Sequence, residues 1–198
     1  SVGAADGKLT LLSNTFVRPG YTFVGWEYVH GTKTGFYEDG AEISNPLEKG
    51  ETLVLKAKWE ANSYTIVYNA NYGSGIMSNS DHTYDVVKVL NENKYIREGY
   101  TFLGWSIDKN ATTATYDDKA SVTNLTNVNN GTVTLYAIWK ANTYTVTYNA
   151  NGGSVNTASE TKTFDSTYGT LPTPTRLNCT FAGWYNGSTK LDNSTLVT

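Results

Sequence analysis

In 198 residues the chain has one cysteine, two histidines, one methionine and four prolines. A single Cys leaves no internal disulfide and no Cys-based metal cluster, so the fold must stand without such staples. Cys179 is read as a buried or half-buried stand-in for an aromatic residue. His30 and His82 share no metal-ligand spacing, and each is read as a solvated turn or strand histidine. Charge is also scarce: charged residues make up 17%, and the net charge is −3. Both signs are mixed along the chain, so the basic stripe of a nucleic-acid binder is missing. No apolar run approaches the roughly 18 residues a spanning helix needs, and no signal peptide or sorting motif is visible. No Gly-x-Ser-x-Gly elbow, phosphate loop or zinc spacing occurs. The acidic pairs Glu38-Asp39 and Asp117-Asp118 fall in corresponding loops. They lack the spaced oxygen ligands of a calcium loop and are read as solvated. These absences point away from an enzyme and give no catalytic, metal-binding or cofactor-binding residue.

What is abundant is aromatic. Five Trp, fifteen Tyr and six Phe accompany eighteen Gly, a composition of strands and turns. The aromatics also recur. Gly20-Tyr21-Thr22-Phe23-Val24-Gly25-Trp26 returns at Gly99 to Trp105, and again at Asn178 to Trp184, at an interval of 79 residues. Leu55-Lys56-Ala57-Lys58-Trp59 returns as Leu135-Tyr136-Ala137-Ile138-Trp139 after 80 residues. Tyr64-Thr65-Ile66-Val67-Tyr68-Asn69-Ala70-Asn71 returns at Tyr144 to Asn151, also after 80. A period of this length marks a tandem array of small units. Arrays serve as rods, spacers or binding surfaces.

The three phrases may be called opening (Tyr64 and Tyr144), central (Trp26, Trp105 and Trp184) and closing (Trp59 and Trp139). The opening phrase alternates with period two, as does the closing phrase, where Leu55, Ala57 and Trp59 face inward. Asn149-Ala150-Asn151-Gly152-Gly153 supplies a turn. A second strand is expected at His82 to Val89 and at Glu160 to Phe164. The Gly before each central Trp suggests a bulge or a close backbone approach. One short helix per unit is expected, near 117–130 in one unit and near 41–49 in another. Four residues, Glu60 to Ser63 and Lys140 to Thr143, link successive units, which must therefore sit close together.

Taken together, Tyr-Thr-Val-Thr-Tyr-Asn-Ala-Asn-Gly-Gly, Gly-Tyr-Thr-Phe-x-Gly-Trp and Leu-Tyr-Ala-x-Trp resemble the Listeria–Bacteroides repeat, the internalin B-repeat type. Asn178-Cys179 stands where Gly-Tyr is expected, and Tyr72 occupies the first Gly position of the Asn-Gly-Gly turn. The resemblance implies a mostly β or α+β chain of tandem, β-grasp-like domains of about 80 residues. It also implies an extracellular, bacterial cell-surface or secreted setting, a stalk role and support of adhesion, with no catalytic residues. The phrases divide the chain into 1–59, lacking an opening strand, 60–139, complete, and 140–198, lacking a closing strand. Because the sequence starts and stops out of phase with the repeat, it is expected to be a piece of a longer chain.

Trp26, Trp59, Trp105, Trp139 and Trp184 are read as structural anchors, because they keep the period of the fold. Trp26, Trp105 and Trp184 have the stronger claim to the core. Aromatics not shared by all units are candidates for surface binding: Tyr28, Phe36, Tyr37 and Tyr72. They support the alternative of a carbohydrate- or host-protein-binding module, with a host or matrix protein or a glycan as partner. No nucleic-acid partner is expected, and no membrane span is expected within these 198 residues. The incomplete ends allow weak head-to-tail association. Otherwise Lys8-Leu9-Thr10-Leu11 folds back over the first unit's gap and leaves a monomer.

Overall fold

The computed structural model describes residues 7–44 and 50–198. The described residues are all β and contain no helix. The first repeat holds β1 (Lys8–Thr10), β2 (Tyr21–His30), β3 (Lys33–Tyr37), β4 (Glu42–Ser44) and β5 (Val54–Ala61). The second holds β6 (Ser63–Asn69), β7 (Ser80–Thr83), β8 (Lys88–Val89), β9 (Tyr100–Ser106), β10 (Ser121–Val122) and β11 (Gly131–Ala141). The third holds β12 (Thr143–Thr147), β13 (Ser159–Thr163), β14 (Trp184–Asn186) and β15 (Thr189–Leu191). Strand orders are β3-β2-β5 and β7-β6-β11-β9, with two-stranded ladders β1-β4, β10-β8, β12-β13 and β14-β15.

The helix expected near 117–130 does not form. Residues 117–130 carry the short strand β10 and a series of turns, with Lys119, Asn124 and Asn130 at positive φ. No apolar stripe of period 3.6 exists there to reward a helix, and left-handed residues interrupt any helical run. Of the stretch 41–49, residues 42–44 are β4 and 45–49 lie outside the described residues. The strand expected from His82 to Val89 breaks into β7 and β8 because Asp85 adopts φ 60°. β1 pairs with β4, Leu9 opposite Ile43, as β8 pairs with β10 in the next repeat. It is thus the first repeat's counterpart of β8; it is not hydrogen-bonded to β5, although Leu9 and Leu11 pack in the same cluster as Leu55 and Ala57.

By packing, the chain forms two compact units. One comprises Ser1–Val67, Ser78–Asn91 and Lys119–Thr134; the other comprises Tyr68–Met77, Glu92–Asp118 and Leu135–Thr198. In the first unit, Leu11, Trp26 and Ile43 form a buried cluster flanked by Phe23, Tyr37 and Leu55. Tyr64, Ile66, His82, Leu90 and Val122 are also buried there. In the second unit, Trp105 is fully buried, with Tyr68, Tyr95, Ala137 and Ile138. Burying such aromatics stabilises a small fold more than any other side-chain type.

The central phrase bends at its glycine. β2 and β5 shift register between Phe23 and Gly25, and β11 and β9 shift opposite the same point of the second copy. Gly104 has φ 137°, and a Cβ on it would stand 2.4 Å from the Tyr116 carbonyl oxygen. Only glycine admits that carbonyl, and the bulge turns the next residue, Trp105, inward.

Candidate functional site

For a repeat chain, the arrangement that can do mechanical work is the connection between repeats. The structure builds that connection twice from equivalent residues. β5 ends at Ala61 and β6 starts at Ser63, so Asn62 alone separates them; Asn142 does the same between β11 and β12. The four-residue linker expected from sequence is therefore a single residue.

Each asparagine is held from both sides. The Asn62 N–H donates to the Gly20 carbonyl at 2.9 Å, and the Tyr84 N–H donates to the Asn62 carbonyl at 2.8 Å. Asn142 receives the same treatment from Gly99 at 2.8 Å and Phe164 at 2.8 Å. The Thr22 hydroxyl reaches the Asn62 side-chain oxygen at 2.6 Å, and Thr101 reaches Asn142 at 2.6 Å. Asn62 is buried, and its amide also donates to the Asn127 carbonyl at 2.7 Å. Its polar groups are thus matched.

Around this backbone tie lies an aromatic clamp. The Tyr21 hydroxyl donates to Asp85 at 2.7 Å, and the Tyr100 hydroxyl to Asp165 at 2.8 Å. The Arg18 guanidinium lies 3.5 Å from the Tyr21 ring centre, and Arg97 lies 3.5 Å from that of Tyr100. Tyr21 meets Tyr84 edge-on at 5.8 Å, and Tyr100 meets Phe164 at 5.7 Å. Both geometries are favourable for aromatic and cation–π contacts. A Cβ on Gly20 would fall 2.3 Å from the Tyr84 ring, and one on Gly99 2.3 Å from Phe164. Glycine at the head of the central phrase therefore makes room for the next repeat.

The joint also shifts its titrating groups. The hydrogen bond to Asp85 raises the Tyr21 hydroxyl above its ordinary value. Asn124 first, then Tyr21, holds the Asp85 carboxyl below its own. The bond to Asp165 likewise raises Tyr100. A charge-assisted bond of this kind favours the ionised acceptor and the protonated donor.

None of the residues named from sequence as binding candidates lies in these joints. Arg18, Arg97, Asn62, Asn142, Asp85 and Asp165 were missed, although their spacing of 79 or 80 residues was a usable signal. Among the proposed anchors, Trp26 and Trp105 are buried, while Trp59, Trp139 and Trp184 are half-buried. Trp139 donates to the Ala70 carbonyl at 2.9 Å, and Trp184 to the Pro172 carbonyl at 2.7 Å.

Tyr28 and Tyr37 stack at 4.6 Å, and the Phe36 ring covers Gly25. Only Tyr28 and Tyr37 are brought together; Phe36, opposite Glu27 in the ladder, lies on the other face of the first repeat, and Tyr72 belongs to the second repeat. His82 is buried, not solvated: it stacks on Tyr64 at 5.4 Å and its Nε2 lies 2.9 Å from the Ser80 hydroxyl. The inward alternation of β7 places it there. His30 is half-buried, 3.2 Å from Glu51. Cys179 is exposed, not buried, because its position in the phrase belongs to the joint and not to the core. The acidic pairs staple loops: Asp39 accepts from the Asn14 N–H and Asp118 from the Asn93 N–H, each at 2.8 Å. Among the described residues, no group of three or more His, Cys, Asp or Glu is placed to hold a metal ion, and no helix is long and apolar enough to cross a membrane.

The family model described as the Listeria-Bacteroides repeat domain matches residues 2–45, 64–138 and 144–198. A protein of Evansella cellulosilytica bearing the name Gly-rich membrane protein is 31% identical over 173 residues, which are 87% of this chain and 18% of that protein. A second protein of that organism, bearing the name membrane protein, is 30% identical over 169 residues, 85% of this chain and 23% of its own length. The chain thus spans about a fifth of these relatives. No solved structure matches it.

Proposed function

The chain belongs to the Listeria-Bacteroides repeat domain family, and on that premise we propose that it is a non-enzymatic spacer segment of a bacterial cell-surface or secreted protein. Its work is to set the reach and stiffness of a stalk that supports adhesion. The observation that carries this reading is the joint built twice from equivalent residues. A flexible string needs no buried asparagine, and a one-residue connection clamped by an aromatic pair resists swing. The names of the Evansella relatives support a setting at the membrane or cell surface. The same reading takes each repeat as β-grasp-like; the connection from β7 to β9 holds the β8 strand and turns.

Small-angle scattering tests the proposal. The chain should give one narrow distribution of interatomic distances. The double variant Gly20→Ala/Gly99→Ala, in which both clamp rings are displaced, should keep its β circular dichroism and give a broader one. Identical distributions would show that the joints do not set reach.

The alternative, a binding module using exposed aromatics, is favoured by one observation: Tyr72 is an exposed large aromatic ring.

A further inference from the structure

The turn after the opening phrase exists in two versions. In the third repeat it runs Asn151-Gly152, with φ of 46° and 82°. In the second it runs Asn71-Tyr72, with φ of 45° and 74°. Both close with the same bond, Gly73 N–H to the Ala70 carbonyl at 2.9 Å and Gly153 N–H to the Ala150 carbonyl at 3.0 Å. The backbone requirement is therefore that of a glycine, and a tyrosine meets it against its own preference. Burial gives no compensation, since Tyr72 is 85% exposed. An exposed bulky side chain held in a strained turn points to a use outside the fold.

Its surroundings suggest what that use is. Tyr72 borders a shallow cavity of about 240 Å³ lined by Asn71, Arg97, Lys109, Ile138 and Trp139. The wall is held rigid from behind. The Asn71 amide donates to the Lys109 and Ala137 carbonyls at 2.9 and 3.0 Å, and the Trp139 indole to that of Ala70. The Arg97 guanidinium stacks on Tyr100 and lies 5.4 Å from the Tyr72 ring centre. Among the described residues it has no hydrogen bond or ion pair, whereas its counterpart Arg176 is tied to the Asn151 carbonyl at 2.9 Å. Two basic residues, an exposed tyrosine and a half-buried tryptophan thus line one small space. That space lies below the roughly 300–1,000 Å³ of ordinary ligand pockets and suits a single ring.

We infer that this cavity of the second repeat binds a sugar ring bearing a carboxylate, a uronic acid residue of an acidic polysaccharide. The pyranose face packs on Tyr72 and Trp139, while its carboxylate meets the Arg97 fork and the Lys109 ammonium. A neutral sugar would leave both cations unmatched. The third repeat, with Gly152 for Tyr72 and with Arg176 engaged, does not offer the same site.

Protein-observed NMR titration of the whole chain decides this. Galacturonan and hyaluronan fragments share the uronic acid and differ in source, plant and animal; maltohexaose is the neutral control. At millimolar sugar, one or both acidic fragments should shift the amides of Asn71, Tyr72, Lys109 to Ala111 and Trp139, and maltohexaose should not. Lys109→Gln and Tyr72→Gly should each weaken binding about tenfold, the loss expected for one desolvated cation or stacking contact. Tyr72→Gly should also raise the melting temperature, which separates lost binding from lost folding. No shift with either acidic fragment, equal shifts with maltohexaose, or unchanged affinity in Tyr72→Gly would overturn the site.

Discussion

The second and third repeats carry the same phrases and bury them differently. Trp105 is 0% exposed, whereas its counterpart Trp184 is only half-buried. Tyr64 is 1% exposed and Tyr144 43%. The local aromatic geometry survives nonetheless: Tyr68 meets Trp105 at 4.9 Å and Tyr148 meets Trp184 at 4.9 Å. Phe102 meets Trp105 at 5.0 Å and Phe181 meets Trp184 at 5.4 Å. What differs is the strand alongside. β9 lies against β11, whose Trp139 adds a further ring 5.5 Å from Phe102; β14 pairs with the short β15. A phrase fixes which rings touch. The neighbouring strand fixes how much water they lose.

The sharpest way to break this comparison is to delete both tryptophans. Trp105→Ala should cost about 3–5 kcal/mol, the usual loss for a fully buried aromatic. Trp184→Ala should cost distinctly less, because part of its surface stays in water. Native-state hydrogen exchange reads each repeat separately, which a single melting curve does not. Equal losses would mean that exposure does not measure anchoring here.

A smaller effect separates a crowded glycine from an open one. Gly99 and Gly169 have φ of 73° and 65°, but only Gly99 faces a ring, while Gly169 has open space. Gly169→Ala should cost roughly 1 kcal/mol for backbone strain alone. Gly99→Ala should cost that plus roughly 1–3 kcal/mol for displacing Phe164. Guanidinium denaturation checks the order, and equal costs would remove the clamp from the explanation.

The smallest effect is pH dependence, again different in the two repeats. His82, opposite Tyr64, occupies the register position that Lys162 takes opposite Tyr144. Burial, then the nearby Lys88, lowers the His82 pKa below its ordinary value. The unfolded state therefore binds the proton more readily. Its stabilising contribution is full above about pH 6.5 and declines as the pH falls below that value. The carboxylates held low, Asp85 and Glu160, act only below about pH 4.5. Between pH 7.5 and 5, amide protection should fall in β6 and β7 and stay level in β12 and β13. Replacing His82 with Gln should abolish the difference.

The period, the alternating strands, the bulge at the central glycine and the array class were legible in the sequence, because each rests on local geometry and spacing. The turn at Asn149 to Gly153 was legible for the same reason. The helix near 117–130 was wrongly expected because a run without strand alternation was given a helix that no apolar stripe supports. The joints were not legible as joints: Gly20 and Tyr21 look like the start of a core strand until Tyr84 and Asp85 are seen to meet them. His82 read as solvated, since one strand does not show which face its partner covers. By itself, then, the sequence determined what recurs, since a period is a property of the chain. Which recurring residues became core, joint or exposed surface was decided only in three dimensions, where burial and contact depend on groups 40 to 65 positions away.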